Sequence, residues 1–382
     1  MSQPQLKPNN PFFSSGPCKK RPGWKIDNLS TSVLGRSHRA KDAKSKLNLI
    51  IEKSKSILNL PKEYKVGIVA GSDTGAIEAA MWTMLGERKV EVLGWENFGY
   101  DWITDIKDQL KIKNLIVHKS EYGFLPNLSK INFNHDVVFN WNGTSSGVCV
   151  PNGDWIPNNR KGLTFCDATS AVFAMKMDFE KLDIITWSWQ KVLGGEAAHG
   201  MIALSPRALK RLTSYEPNWP IPKIFRLANK KKVSEGVFKG ETINTPSMLC
   251  VEDVLDSLIW LESIGGESEA IKRSQNNLQI IKEWIKDKSW VEFLAEDSKT
   301  ISSTSICLKI VDKKFTKLTH DEQKIRIKKI NDLLEKEQVA FDINSYRTAP
   351  PGFRIWGGAT VESNDIANLL PWIEWAYTVI NK

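Results

Sequence analysis

The sequence predicts an α/β protein with a large domain built on a mostly parallel, seven-stranded sheet and a smaller α+β domain at its C-terminal end. Two observations support this fold class. Between residues 65 and 245, short strand-like runs alternate with segments of helical apolar spacing, which is typical of a parallel sheet covered by helices on both faces. Beyond that region the alternation becomes less regular, which indicates a second and smaller unit.

The elements follow in chain order. Residues 1–40 are rich in Pro, Gly and Ser with little periodicity, so we expect an ordered arm. Apolar residues at helical spacing predict a helix over 40–60, which ends before Pro61. Seven strands are expected at 64–71, 89–94, 113–119, 136–142, 162–168, 183–189 and 200–205. Helices are expected at 74–85 and 101–110.

The last third of the chain is mostly helical in pattern. A long helix at 247–266 stops at a glycine pair, a common helix terminator. The remaining elements are helices at 269–288, 319–338 and 363–380 and a strand at 302–311. We therefore divide the chain into an arm (1–40), a large domain (41–265) and a small domain (266–382).

Composition narrows the function classes. No apolar run approaches the roughly 18 residues of a membrane span, and the N-terminus lacks the apolar core of a signal peptide. Five dispersed cysteines indicate reduced thiols without a metal site, so we expect a cytoplasmic protein. The net charge of +9 lacks the clustered basic stripe of a nucleic-acid binder, apart from a short run at 229–233. Small anionic molecules remain open as ligands.

Chemistry-bearing residues follow several predicted strands. Ligands of open α/β sheets bind beyond the carboxyl ends of strands. There the sequence places "GSDTGA" (71–76), Thr144, Asp167 and Lys191. The first segment leads into a helix, whose N-terminus can hold a phosphate, although an ordinary helix cap explains it equally well. A lysine in an apolar turn is unusual, because desolvating an ammonium group is costly.

Pyridoxal 5′-phosphate explains this combination. Its aldehyde forms a Schiff base with a lysine, here Lys191, and a carboxylate, here Asp167, keeps its pyridine nitrogen protonated. The helix N-terminus would hold its phosphate, and Trp102 offers an aromatic face for its ring. Core packing is the alternative role of Trp102. Lys191 can then lie in a dry pocket because it is an imine.

These pieces resemble phosphoserine aminotransferase, a family of fold-type I pyridoxal-phosphate enzymes, over nearly the whole chain. The motifs are "FSSGPCKKRPGW" (13–24), "GRSHRA" (35–40), "GSDTGAIEAAMW" (71–82), "CDATSA" (166–171), "WSWQKVLGGE" (187–196), "INTPSM" (243–248) and "YRTAPPGFRIWGG" (346–358). The resemblance implies that the cofactor contacts are Asp73, Thr74, Trp102, Thr144, Asp167, Gln190 and Lys191, with Asn244 and Thr245 from the other subunit. It also implies a homodimer with shared active sites and a small domain that the N-terminal arm joins.

The resemblance further implies transamination between L-glutamate and 3-phosphohydroxypyruvate, giving 2-oxoglutarate and O-phospho-L-serine. The implied substrate contacts are His38, Arg39, Arg347 and Arg354, since guanidinium groups bind carboxylates and phosphates bidentately. Two departures stand out. Many relatives have an arginine in the phosphate loop and a His-Arg pair near position 346, whereas this chain has Asp73-Thr74 and Tyr346-Arg347. Some members also use 4-phosphohydroxythreonine in vitamin B6 synthesis, and the sequence leaves this open.

Three alternatives stay open at this stage. The first is an aminotransferase of the alanine–glyoxylate type. The second is a cysteine desulfurase, which requires a mobile cysteine and a histidine on the ring, in place of Cys307 in a strand-like run and Trp102. The third is a basic, nucleic-acid-binding or scaffolding protein with an inactive enzyme fold, which would bind RNA with steep salt dependence and hold no cofactor.

Overall fold

A seven-stranded sheet forms the centre of the computed structural model, which describes residues 2–381. Its strands are β1 (Lys65–Ala70), β2 (Val90–Gly94), β3 (Leu115–Lys119), β4 (Asp136–Asn140), β5 (Thr164–Asp167), β6 (Ile184–Ser188) and β7 (His199–Leu204). Each matches a predicted strand to within about two residues. The runs are rich in Val, Ile and Phe and are buried on both faces, as parallel strands under helices are.

The spatial order of these strands is β1-β7-β6-β5-β4-β2-β3. Strand β7 runs antiparallel to both of its neighbours, and the other strand pairs are parallel. The predicted, mostly parallel α/β fold is therefore confirmed. Because β1, β2, β4, β5 and β6 point the same way, the residues that follow them meet at one edge of the sheet.

Five helices belong to this part of the chain: α1 (Lys41–Ile57), α2 (Ser72–Met84), α3 (Asn97–Thr104), α4 (Pro206–Ser214) and α5 (Met248–Ser263). The predicted helix 101–110 was wrong at its start. The Glu96 side chain accepts a hydrogen bond from the Gly99 amide and caps α3 four residues earlier. Trp102 therefore lies within α3, and a π-helical turn, Asp105–Gln109, continues the segment.

The C-terminal elements form a second layer. They are α6 (Gly266–Ile285), β8 (Val291–Phe293), β9 (Ser305–Ile310), α7 (His320–Lys336), β10 (Gly352–Trp356) and α8 (Ser363–Ile380). The three strands form an antiparallel sheet in the order β8-β9-β10. The sequence pattern missed β8 and β10, because each is too short to show a period of its own.

The N-terminal segment runs along these C-terminal elements. The Trp356 amide donates to the Phe13 carbonyl at 2.9 Å, and the Lys19 ammonium pairs with the buried Asp365 carboxylate at 2.9 Å. Arg21 forms a bidentate pair with Asp256 on α5. These contacts hold residues 13–21 between the two layers and against the edge where β5 and β6 end. Within residues 2–381, no helix has the length and apolar character needed to cross a membrane.

Candidate active site

Asp167 and Lys191 are brought together by two neighbouring parallel strands. Asp167 is the last residue of β5, beside Asn140 at the end of β4 and Thr186 on β6. Lys191 lies three residues beyond β6, in a turn that Gly194 closes by donating to the Lys191 carbonyl. Gly194 has φ +64, and a side chain there would strike the Lys19 backbone, so this turn requires glycine.

A cavity of about 110 Å³ opens at this edge of the sheet. Its walls contain seven of the nine predicted cofactor residues. The lining residues are Ser72, Asp73, Thr74, Phe98, Trp102, Thr144, Asp167, Thr169, Gln190 and Lys191. Residues more than 100 positions apart in the chain thus surround one space the size of a small ligand.

Three donors converge on the buried Asp167 carboxylate. Trp102 Nε1 and Asn140 Nδ2 each donate to Oδ2 at 3.1 Å, and the Thr169 amide donates to Oδ1 at 3.0 Å. These three hydrogen bonds fix the orientation of the Asp167 side chain in the cavity wall.

Lys191 lies in the opposite wall, against the N-terminal arm. Its Nζ donates to the Ser15 carbonyl, and Gly16 packs so closely that any Cβ there would meet Nζ. Burial lowers the pKa of Lys191 below its ordinary value. The neutral amine, which is the nucleophilic form, is thereby favoured.

The N-terminus of α2 supplies an anion site. Gly71 caps the helix in the left-handed conformation (φ +80) with no side-chain hydrogen bond to the first turn. Gln190 Nε2 donates to Ser72 Oγ at 2.7 Å and ties this turn to the Lys191 segment. The first backbone amides of a 13-residue helix, together with its dipole, favour a negatively charged group here.

The Asp73 side chain turns away from that anion site. It is only 5% exposed, and its Oδ1 has no hydrogen-bond partner. Burial first, and then the charge of Asp167, raises the pKa of Asp73 well above its usual range. The backbone of Asp73 can serve the anion site, while burial and the neighbouring Asp167 disfavour a negative charge on its carboxyl group.

Two arginines approach the cavity from the C-terminal layer. Arg354 on β10 is near enough to Lys191 for its charge to lower the lysine pKa, although burial is the larger cause. The guanidinium carbons of Arg354 and Arg347 lie 5.4 Å and 5.5 Å from the Tyr346 ring centroid. Arg354 Nε is buried without a hydrogen-bond partner, as expected for a group that awaits an anion.

Besides Arg347 and Arg354, four predicted residues lie outside the cavity walls. His38 and the exposed Arg39 precede α1, and Asn244 and the exposed Thr245 lie in the loop before α5. Asn244 Oδ1 is buried without a partner, while its Nδ2 bonds the Thr245 carbonyl. The family resemblance implies that Asn244 and Thr245 reach the cofactor phosphate of a second subunit. That role stays a prediction.

Several residues that line the cavity or contact Asp167 were not singled out from the sequence. Asn140 ends the strand next to β5, so its position was available from the same strand-end argument that found Asp167. Ser72 and Thr169 lie inside quoted motifs, yet only the fold shows that they face the cavity. Phe98 gave no signal, because the predicted start of α3 was four residues too late.

The donor set fits pyridoxal 5′-phosphate. One lysine amine of lowered pKa faces one fixed carboxylate across a small cavity, an uncapped helix N-terminus lies at its end, and the Trp102 indole lies in its wall. These groups match the aldehyde, the pyridine nitrogen, the phosphate and the ring face of that molecule. Thr144 Oγ1, which bonds Ser170 Oγ at 2.8 Å, adds a hydroxyl at the same edge.

Comparison with known proteins supports the same cofactor class. No protein-family model matches the chain. The chain is 54% identical over 378 residues to the phosphoserine aminotransferase of Methanosarcina barkeri, which covers 99% of this chain and 100% of that protein. A solved phosphoserine aminotransferase from Cytophaga hutchinsonii superposes with a TM-score of 0.79 at 20% identity, over 96% of this chain and 99% of that one.

A further solved structure, a phosphoserine aminotransferase with bound pyridoxal phosphate from Trichomonas vaginalis, superposes with a TM-score of 0.75. It is 16% identical and covers 96% of this chain and 100% of its own. At such low identity, the two structural matches show a shared fold. The match at 54% identity is of a different kind, because it extends over essentially the full length of both chains.

Proposed function

This chain belongs to the phosphoserine aminotransferase family, and from that premise we propose which residues carry out its reaction. The enzyme is a pyridoxal-phosphate-dependent aminotransferase of serine biosynthesis. It transfers an amino group from L-glutamate to 3-phosphohydroxypyruvate, giving 2-oxoglutarate and O-phospho-L-serine. The observation that supports the residue assignment is the placement of Lys191 and Asp167 in one cavity with Trp102 and the N-terminus of α2.

Pyridoxal phosphate supplies an aldehyde that binds amino groups covalently and a ring that accepts electrons from the substrate α-carbon. Lys191 would hold the cofactor between turnovers. Its amine, once free, would move the proton of the substrate α-carbon. Burial suits Lys191 to this work, because a lowered pKa favours the neutral amine, which is the form that accepts a proton.

The surrounding residues fix the geometry. Asp167 would pair with the pyridine nitrogen, while Asn140 and the Thr169 amide hold its carboxylate in place. Trp102 would offer its aromatic face to the ring, and Thr144 would supply a hydroxyl group beside it. The phosphate would bind at the first turn of α2, at Asp73 and Thr74, and Gln190 braces that turn through Ser72.

Substrate anions bind on the other side of Lys191. Arg354 grips the α-carboxylate, supported by its position near Lys191 and its unpartnered Nε. Arg347 contacts the distal carboxylate or phosphate of the substrate. A guanidinium group is suited to both tasks, because its planar fork matches these anions bidentately.

The remaining site residues act across a homodimer. We assign Asn244 and Thr245 to the partner's active site, and His38 and Arg39 to substrate binding, as the resemblance to the family implies. The protein works in the cytoplasm, in keeping with its five free cysteines. Its arm (1–40) and residues 266–382 form one small domain beside residues 41–265, supported by the Trp356–Phe13 and Lys19–Asp365 contacts.

Two measurements test this assignment. Borohydride reduction of the cofactor-loaded protein, followed by peptide mass spectrometry, should place the cofactor mass on the peptide that contains Lys191. With glutamate as the amino donor, 3-phosphohydroxypyruvate should be a far better acceptor than glyoxylate or pyruvate. Cofactor attached to another lysine would refute the residue assignment, and a preference for glyoxylate would favour the alanine–glyoxylate alternative.

A further inference from the structure

A chain of polar side chains joins the cofactor cavity to the loop at 346–348. Ser145 Oγ lies 2.6 Å from Glu96 Oε2, and Tyr122 OH lies 3.2 Å from Ser145 Oγ. Tyr122 OH also lies 3.0 Å from Thr348 Oγ1, which lies 3.1 Å from Asn97 Oδ1. The backbone amide of Asn97 donates to Ser145 Oγ at 3.3 Å. Ser145, Tyr122, Thr348 and Asn97 therefore form a closed ring of contacts.

This ring contacts proposed functional groups on two sides. On the cofactor side, Glu96 caps α3, which contains Trp102, and accepts a hydrogen bond from the Ser145 amide next to Thr144. On the substrate side, Thr348 follows Tyr346 and Arg347. The Tyr346 ring lies 5.5 Å from the ring of Phe98 in the cavity wall, and both arginine guanidinium groups lie against it.

We propose that Glu96, Tyr122 and Thr348 are positioning residues that hold the 346–348 loop, and with it Arg347 and Arg354, in register with the cofactor cavity. This inference rests on the proposed roles of the two arginines. None of the three residues lines the cavity itself. They act through the loop, so they set how well substrate anions bind, with little effect on the chemical step.

In the structure, Glu96 accepts hydrogen bonds from the Gly99 amide, the Ser145 amide and Ser145 Oγ. Ser145, Tyr122 and Thr348 supply one hydroxyl proton each, but the Glu96–Ser145 contact and the three contacts that lead from Ser145 to Asn97 Oδ1 together require four. When the Glu96 carboxyl donates to Ser145, the protons run in one direction from Ser145 through Tyr122 and Thr348 to Asn97 Oδ1. When Glu96 is ionised, one contact lacks a proton and the ring opens.

This requirement makes loop positioning depend on pH. Burial raises the pKa of Glu96 to about 7. The other titratable groups that face it are Asp167, Tyr100, Tyr122 and Cys307. Burial raises the pKa values of Tyr100 and Cys307 to about 12 and that of Tyr122 above its ordinary value, so these three stay protonated near neutral pH.

The first test measures the loop without turnover. Hydrogen–deuterium exchange of the cofactor-free protein reports on the Ser345 and Ala349 amides, which bond the Gly352 and Tyr346 carbonyls. We expect Thr348→Val to speed their exchange. Thr213→Val is the matched control, because that hydroxyl bonds only within α4. Unchanged exchange in Thr348→Val would show that the ring does not hold the 346–348 loop. This conclusion does not depend on the activity of the wild type.

The second test is a double-mutant cycle in the glutamate half-reaction. Tyr122→Phe and Thr348→Val each remove the shared Tyr122–Thr348 contact and one further contact. A net loss worth about one hydrogen bond should raise the KM for glutamate about two- to tenfold, with kcat nearly unchanged. The double variant should be no worse than the worse single one, because either change breaks the same ring. Additive losses, or losses confined to kcat, would contradict the proposal.

The third test measures how the KM for glutamate depends on pH. Glutamate keeps both carboxylates ionised between about pH 6 and about pH 9, and its amino group titrates alike in both assays, so a difference between the wild-type and Thr348→Val profiles comes from the protein. The wild-type KM should rise as the pH passes through Glu96 ionisation, and Thr348→Val should lose that rise. If Thr348→Val keeps the wild-type profile, Glu96 does not act through the ring. A wild type without transaminase activity would refute the proposed function and leave the exchange result standing.

Discussion

Replacing Asp167 by Asn tests the carboxylate on which the proposed site depends. The substitution keeps the shape of the side chain and removes its charge. Every partner of Asp167 in the structure is a donor: Trp102 Nε1, Asn140 Nδ2 and the Thr169 amide. The best orientation of the new amide therefore keeps its oxygen toward Trp102 and Asn140 and turns its NH₂ group against the Thr169 amide.

The magnitude follows from those contacts. A buried donor left without an acceptor costs about 1–3 kcal/mol, so the cofactor-free variant should be less stable by that amount. A hydrogen bond to a charged partner contributes about 1.5–3 kcal/mol, so losing it at the pyridine nitrogen should lower kcat by about 10- to 150-fold. Chemical denaturation measures the first effect, and steady-state assays at saturating cofactor measure the second.

Asp136→Asn is the matched control. Asp136 is also fully buried on the central sheet, but it begins β4 at the opposite edge, where it pairs with Arg211 at 2.8 Å. That variant should lose stability and keep the turnover of each folded, cofactor-loaded site. If Asp167→Asn turns over within about twofold of the wild type, or if the control loses turnover equally, the assignment of Asp167 to the pyridine nitrogen fails.

Three further perturbations follow from the structure. Lys191→Ala should lose the visible absorbance of the bound cofactor together with turnover. In the wild type, the pH dependence of cofactor binding should have a midpoint below the ordinary lysine pKa of 10.5, because burial favours the neutral amine. A midpoint at or above 10.5 would contradict that reasoning. Arg354→Lys keeps the charge but loses the bidentate fork, so the KM for glutamate should rise about tenfold with the cofactor spectrum unchanged; an unchanged KM would remove Arg354 from the substrate site. Lys19→Met leaves the Asp365 carboxylate buried without its cation, so the free energy of unfolding measured in urea should fall by about 3 kcal/mol. A loss below about 1 kcal/mol would show that the backbone amides of Asn9 and Asn10 stabilise the Asp365 carboxylate without the lysine.

The order of strands along the chain was predictable because it depends on local patterns. All seven strands of the large sheet were located to within about two residues, and the strand-end argument identified Asp167 and Lys191. Both signals are short-range: an apolar run forms a buried strand, and its carboxyl end points to the ligand edge of the sheet. The same reasoning predicted the cofactor class before any comparison with known proteins.

Cooperative contacts over long sequence distances were not predictable in this way. Glu96 moved the start of α3 through a single cap, and this placed Phe98 in the cavity wall. The Asp73 carboxyl could have faced the anion site, but packing buried it beside Asp167 instead. The sequence by itself determined the strands and the positions of Lys191 and Asp167 at or just after the ends of two of them, because each signal is encoded within a few neighbouring residues. The tertiary structure alone decided which distant groups surround them, such as Ser15 at Lys191 and Tyr122 at Thr348, because only the folded packing brings such positions within hydrogen-bond distance.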